Sequence, residues 1–214
     1  MRKIKHFLLL FGILLWPAQN TYAVAQGAPT KILVLGDSLT AGYGLAPEEA
    51  FPAQLQRKLV RVGRQVQVLN RGVSGDTSAG GRARLNWVLG DKPDAVIIEL
   101  GANDGLRGLG PNQLRDNLDA IISILKARKI AVLLTGMRAP PNFGAKYSAQ
   151  FDAVYPSLAK KHSLPLYPFF LEGVVSEPGL NQKDGIHPNS RGVGKIVEQI
   201  TPYVLRLIDG SANK

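Results

Sequence analysis

The 214-residue chain contains no cysteine. That absence excludes a disulfide framework, a cysteine nucleophile and a thiolate zinc site. It also excludes a bacterial lipoprotein anchor, because the lipid is attached at a lipobox cysteine. Histidine is nearly as scarce, with only His6, His162 and His187, so multi-histidine metal sites of the His-Glu-x-x-His kind are ruled out by count. Acidic residues are outnumbered, 16 Asp and Glu against 26 Lys and Arg, giving a net charge of +10. Long apolar runs are absent after residue 16, and no later window approaches a membrane span.

The one long apolar run has a processing role. Arg2, Lys3 and Lys5 precede ten apolar or glycine residues, Phe7 to Trp16, and residues 17–25 turn small and polar. These are the three parts of a secretory signal peptide. Ten helical residues at about 1.5 Å each reach only half of a roughly 30 Å hydrocarbon core. Cleavage is expected after Ala25, with Ala23 as the alternative site, leaving 26–214 as a single exported domain with no stable membrane anchor. Without residues 1–25 the net charge falls to +7. The remaining basic clusters, Arg57 to Arg64 and Lys126 to Lys129, lie on helix-like segments without interleaved aromatics, so they read as solvated helix faces, with no nucleic-acid partner.

Five short runs rich in Val, Ile or Leu follow, at 31–35, 66–70, 95–100, 130–135 and 166–170. Runs apolar on both faces suit strands of a parallel sheet covered on both sides. Between them lie helical patterns. Phe51, Leu55 and Leu59 mark one helix within 50–62, and Leu114, Leu118, Ile121, Ile122 and Leu125 mark another. A last helix spans about 190–208, where Pro202 is expected to kink or split it. Alternating strands and helices predict an α/β domain with a five-stranded, mainly parallel sheet.

In such sheets ligands bind beyond the carboxyl ends of the strands. The first strand ends in Gly36-Asp37-Ser38-Leu39, where a serine hydroxyl can project into the crevice beside free helix N–H groups. The second ends in residues 70–78, which also read as a glycine loop with an Asp or Thr helix cap. The third ends in Gly101-Ala102-Asn103-Asp104-Gly105, equally an ordinary turn composition. None of these junctions decides a function alone.

Asp184-Gly185-Ile186-His187-Pro188 carries more weight. A serine is a poor nucleophile until an imidazole takes its proton, and the imidazole needs a partner that fixes its tautomer. Asp184 and His187 are three residues apart, close enough to pair in a tight turn. His162 closes a basic helical stretch, where histidine ordinarily serves the helix dipole, which leaves His187 as the candidate base.

These residues resemble, in order, the four blocks of the GDSL or SGNH hydrolase superfamily: Gly36-Asp37-Ser38-Leu39, Ser74-Gly75-Asp76, Gly101-Ala102-Asn103-Asp104 and Asp184-Gly185-Ile186-His187. Val73 to Ser78, Glu99 to Gly108 and Tyr167 to Phe170 are similar to the bacterial periplasmic thioesterase, arylesterase and lysophospholipase subgroup. The resemblance covers nearly the whole chain after the signal peptide. It implies a flavodoxin-like three-layer α/β/α sandwich and hydrolysis of acyl esters and thioesters without a metal. It further implies Ser38 as nucleophile, His187 as base, Asp184 as its orienting acid, and an oxyanion hole made by the Ser38 and Gly75 N–H groups and the Asn103 side chain. Asp37 and Asp104 are expected to organise loops.

Leu106, Leu109, Pro141, Phe143 and Ile186 are candidate walls of an acyl groove, because they lie in loops at the same end of the sheet. The expected partner is a small acyl ester or thioester, lipid-like substrates included, handled by a monomer. The rival functions are a carbohydrate O-deacetylase and a non-catalytic exported binding module on the same fold. A phosphate-binding loop is discarded, because Gly36, Gly42 and Gly44 lack the spacing of a dinucleotide fingerprint.

Overall fold

The structure, a computed structural model, describes residues 28–212; the proposed signal peptide lies outside the described residues. Strand β1 (Thr30–Gly36) occupies the interior of a five-stranded sheet ordered β2-β1-β3-β4-β5. Its neighbours are β2 (Val66–Gly72) and β3 (Ala95–Glu99), followed outward by β4 (Ala131–Thr135) and β5 (Leu166–Tyr167). All four pairings are parallel. Ile32 to Leu35 and Ala95 to Ile98 are wholly buried, as runs covered on both faces must be.

Helices supply the covers. On one face α2 (Phe51–Arg61) packs against α8 (Ser190–Ala212); on the other α5 (Pro111–Ala127) packs between α3 (Ser78–Val88) and α7 (Val154–His162). The predicted apolar stripe of α5, from Leu114 to Leu125, is fully buried, each side chain contributing about 1.5–3 kcal/mol. The remaining helices are short: α1 (Ser38–Ala41), α4 (Ala102–Leu106) and α6 (Ala145–Asp152). The result is the expected flavodoxin-like three-layer α/β/α sandwich, whose chain reverses direction across the sheet at the junction of β1 and β3. None of the described helices is long and apolar enough to cross a membrane.

Two elements depart from the expectations, and a third narrows one. The fifth strand ends at Tyr167 instead of residue 170, because Pro168 has no N–H for the ladder and the chain turns so that Phe170 N–H donates to Gly136 O. Helix α3 is legible at its start, where Thr77 caps it by accepting the Gly80 N–H as the cap reading allows, but not along its body. Its inward stripe is Ser78, Gly81, Leu85 and Val88, of which only two are large apolar residues. Pro202 does not split α8. Both Pro202 and Glu198, whose carbonyl loses its i+4 donor, are on the exposed side, so water can satisfy that carbonyl.

Parallel register levels the strand ends. Gly36 stands opposite Gly72 on one side and Glu99 on the other, so the loops after β1, β2 and β3 leave the sheet together. The approach is close enough to require glycine, since a Cβ on Gly72 would collide with the Ala41 backbone nitrogen and crowd Asp37 O. Gly72→Ala is therefore expected to destabilise the fold by about 1–3 kcal/mol, and thermal unfolding should show a Tm lowered by several degrees.

Candidate active site

Ser38 owes its position to the turn that ends β1. The Asp37 side chain caps α1 by accepting the Leu39 N–H at 3.0 Å, and Gly42, at φ 84°, ends this four-residue helix by donating to Ser38 O. The Ser38 hydroxyl thus stands at the first position of a short helix over the carboxyl end of the sheet, 2.9 Å from His187 Nε2.

His187 is held by a loop. Its Nδ1 lies 2.7 Å from Asp184 Oδ2, while Asp184 Oδ1 accepts the Ile186 and His187 backbone N–H groups at 2.9 and 3.0 Å. These bonds from the His187 backbone and ring, with that from Ile186, hold the Asp184 carboxyl down to about 2. The Tyr43 ring packs 4.7 Å from the imidazole. Gln182 fastens the loop to the first turn by donating from its side chain to Tyr43 O and Pro188 O, and its backbone N–H donates to His187 O. A hydroxyl, imidazole and carboxylate in series at these distances can move a proton from oxygen to nitrogen and leave the imidazolium paired.

The loop after β2 and helix α4 meet the same site. Asn103 Nδ2 donates to Asp76 O at 3.0 Å and to Asp37 Oδ2 at 3.3 Å. Asp104 accepts the Ser78 backbone N–H at 2.7 Å and its hydroxyl at 2.5 Å, and Arg107 donates to Gly75 O. Three side chains of one turn, or just past it, therefore fix the glycine loop. Gly75 itself takes φ 84°, a left-handed conformation suited to glycine. Arg84, which the sequence did not single out, pairs with Asp76 at 2.6 Å and donates to Arg71 O and Gly36 O, tying two strand ends to the loop. Nothing in its local pattern announces this, because each partner is distant in sequence.

Two carboxyl groups lie under Ser38. Glu99, fully buried at the end of β3, accepts the Thr40 hydroxyl at 2.8 Å and the Asp37 N–H at 3.3 Å through Oε2, while its Oε1 has no partner. Burial, then the charge of Asp37, pushes the Glu99 carboxyl well above the usual range. Burial also raises Asp37, to about 6, against the opposing bonds from Leu39 and Asn103. Asp104 is likewise raised by burial.

Beside Ser38 and His187 opens a cavity of about 440 Å³. Leu106, Pro141 and Ile186 line it as expected, whereas Leu109 and Phe143 do not. Leu109 instead offers its carbonyl to the Tyr147 hydroxyl, and Phe143 packs 5.2 Å from the Tyr147 ring and over Gly108. Met137, Phe169, Leu171 and Val175 are apolar walls that the sequence reading missed; they follow β4 and β5 and enter the cavity through tertiary placement alone. His162 closes α7 as expected, with the addition of a 2.6 Å contact to Asp119.

The model of the GDSL-like lipase/acylhydrolase family matches residues 34–194. The chain is 43% identical over 184 residues to esterase TesA of Pseudomonas aeruginosa, covering 86% of this chain and 92% of that protein. It is also 43% identical over 185 residues to thioesterase 1/protease 1/lysophospholipase L1 of Escherichia coli, covering 86% of this chain and 84% of that protein. Among solved structures it is similar to AlinE4, an SGNH-hydrolase family esterase, with a TM-score of 0.73 and 49% identity over 85% of this chain and 98% of that one. With the ordered blocks already assembled around Ser38, these similarities show that the chain belongs to the GDSL-like lipase/acylhydrolase family.

Proposed function

We propose that the chain is an exported serine hydrolase that cleaves acyl esters and thioesters through Ser38, His187 and Asp184. The carrying observation is the series from Ser38 Oγ to His187 Nε2 at 2.9 Å and from His187 Nδ1 to Asp184 at 2.7 Å, opening on an apolar cavity. His187 takes the Ser38 proton as the oxygen attacks the acyl carbon, giving a tetrahedral oxyanion. Collapse breaks the bond to the alcohol or thiol, which leaves with the proton from His187. Water then enters by the same route, its proton going to His187 and its oxygen to the acyl carbon, and the released Ser38 oxygen recovers a proton from the imidazolium. Asp184 keeps the imidazole in the tautomer that accepts at Nε2.

The proposed oxyanion hole consists of the Ser38 and Gly75 backbone N–H groups and the Asn103 Nδ2–H. Ser38 opens helix α1, whose Asp37 cap takes the Leu39 N–H and not that of Ser38, and Gly75 and Asn103 are held close by the contacts of Asp104 and Arg107.

The cavity favours lipid-like acyl groups over acetylated sugars. Its walls include Leu106, Met137, Phe169, Leu171, Val175 and Ile186, and a sugar would find few groups there to replace its bonds to water. Further large apolar side chains, Tyr43 and Val73, are exposed on loops at this same end of the sheet, a surface suited to amphiphilic substrates. The proposal extends to removal of residues 1–25, a periplasmic location, and action by 26–214 as a monomeric single domain without a membrane anchor.

Ser38→Ala is expected to lower turnover of p-nitrophenyl acyl esters by several orders of magnitude and to abolish labelling by a fluorophosphonate, with unfolding unchanged. Wild-type turnover in that variant would remove Ser38 from the mechanism. Asn103→Ala should lower kcat by about 10²–10³ with the fold retained. Filling the cavity with Val175→Trp should move the preferred acyl chain in a p-nitrophenyl ester series toward shorter members; an unchanged profile would place the acyl group elsewhere.

A further inference from the structure

The Asn103 carboxamide has two nearly isosteric ends, and its terminal torsion is soft. Something must select the rotamer that turns its N–H groups, and not its carbonyl, toward the reacting oxygen. Both nearest partners are acceptors. Asp76 O and Asp37 Oδ2 each lie within hydrogen-bond reach of Nδ2, at 3.0 and 3.3 Å. An ionised carboxylate only accepts, so it attracts the amide N–H and repels the amide oxygen. Asp37 is wholly buried, and its other oxygen is anchored on the Leu39 N–H, so this acceptor cannot turn away.

We propose that Asp37 is a positioning residue that acts on the reaction through Asn103. Its carboxylate holds the carboxamide in the orientation that offers an N–H to the oxyanion. The inference rests on the reading of Asn103 as an oxyanion donor and goes beyond it by naming what aims that donor. The long 3.3 Å contact suits the task, because an N–H held weakly at rest is readily shared with an oxygen on which negative charge develops.

Charges around Asp37 come from each element packed on it. Asp104 on α4 opposes its ionisation, as does Glu99 on β3 whenever that group is itself charged, while His187 from the loop before α8 favours it when protonated. The Arg84 guanidinium of α3 lies on the carbonyl of the preceding residue, Gly36. Burial and the Asp37 charge push the Glu99 carboxyl well above its usual range, which favours placing negative charge on Asp37. Asp37 is raised to about 6. The carboxylate that grips Asn103 is therefore present above that pH and is lost as pH falls through it.

The test is a double-mutant cycle at pH 8 on an aryl acyl ester, using Asp37→Asn, Asn103→Ala and the double variant, with kcat and KM separated. Asp37→Asn retains an oxygen for the Leu39 cap but turns an amide donor toward Asn103. It should lower kcat by on the order of 10- to 100-fold with KM changed by less than about twofold, and the double variant should be no slower than Asn103→Ala. Losses that multiply would overturn the proposal, since Asp37 would then act independently of Asn103. Wild-type turnover in Asn103→Ala would instead defeat the oxyanion reading itself. A second measurement does not require Asp37→Asn to fold. The acid limb of kcat against pH should be shallower in Asn103→Ala than in the wild type, because Asp37 ionisation no longer matters there; limbs of equal steepness would overturn the proposal.

Discussion

The site depends on the close approach of the first strand's exit turn to the strands on either side. Gly36 and Gly72 carry no side chains, and the Ala41 and Thr40 atoms of the turn occupy the space that a Cβ would need. Parallel register sets Gly36, Gly72 and Glu99 at one level. The turn bearing Ser38 is consequently pressed onto the sheet, and loops from β2 and β3 reach it after three or four residues. A short reach limits how far Gly75 and Asn103 can move relative to Ser38, which is what a group of donors aimed at one oxygen requires.

Electrostatics divides the site by depth. Asp184 sits near solvent among N–H donors that hold it down to about 2, whereas Asp37 and Glu99 are buried, and burial is the largest cause that pushes both up. Two buried carboxylates so close together would repel in a poorly screened medium, and the Asp37 charge adds to burial in pushing Glu99 up. Glu99 accepts from Thr40 and from the Asp37 backbone, bracing the Ser38 turn from below. The unpartnered Oε1 is tolerated more easily on a neutral acid than on an anion.

Local signals carried much of this in the sequence. The buried strands β1, β3 and β4 were readable from unbroken aliphatic runs, and α5 from its 3.6-residue stripe, because in each case burial is written directly into residue type. The body of helix α3 was hidden, since a face of serine and glycine packs closely without an apolar signature. The fifth strand was read too long because an aromatic run continues past Pro168 after the ladder has stopped. At the site, residues in short blocks, namely Ser38, Asn103, Asp184 and His187, were legible as candidates; Ser38, His187 and Asp184 are brought into contact in series, and Asn103 lines the same cavity as Ser38 and His187. Arg84, Met137, Phe169 and Val175 were not, because each reaches the site only through long-range packing. The same reason explains the misplacement of Leu109 and Phe143, which have the right character and neighbourhood but face Tyr147.

The two halves of the proposed relay are supported differently. Ser38 stands just past β1, which is buried from Ile32 to Gly36, whereas Asp184 and His187 ride a loop closed by the isolated bridge between Asn181 and Pro188, just before α8. That loop is tied down by side chains: Asn181 to Val174 O and Glu177 O, Asn189 to Gly179 O and the first N–H groups of α8, and Gln182 to Tyr43 O. Such bonds yield more readily than a parallel ladder, because each carries no neighbouring rung to share the strain. The sheet therefore supports Ser38 and the proposed oxyanion donors, whereas the proposed base is carried by a loop held through side-chain contacts and a backbone bond from the Gln182 N–H to His187 O. Ile186 and Gly185 lie in that same loop and line the cavity, so a bound acyl group that presses on Ile186 also bears on the segment that carries His187.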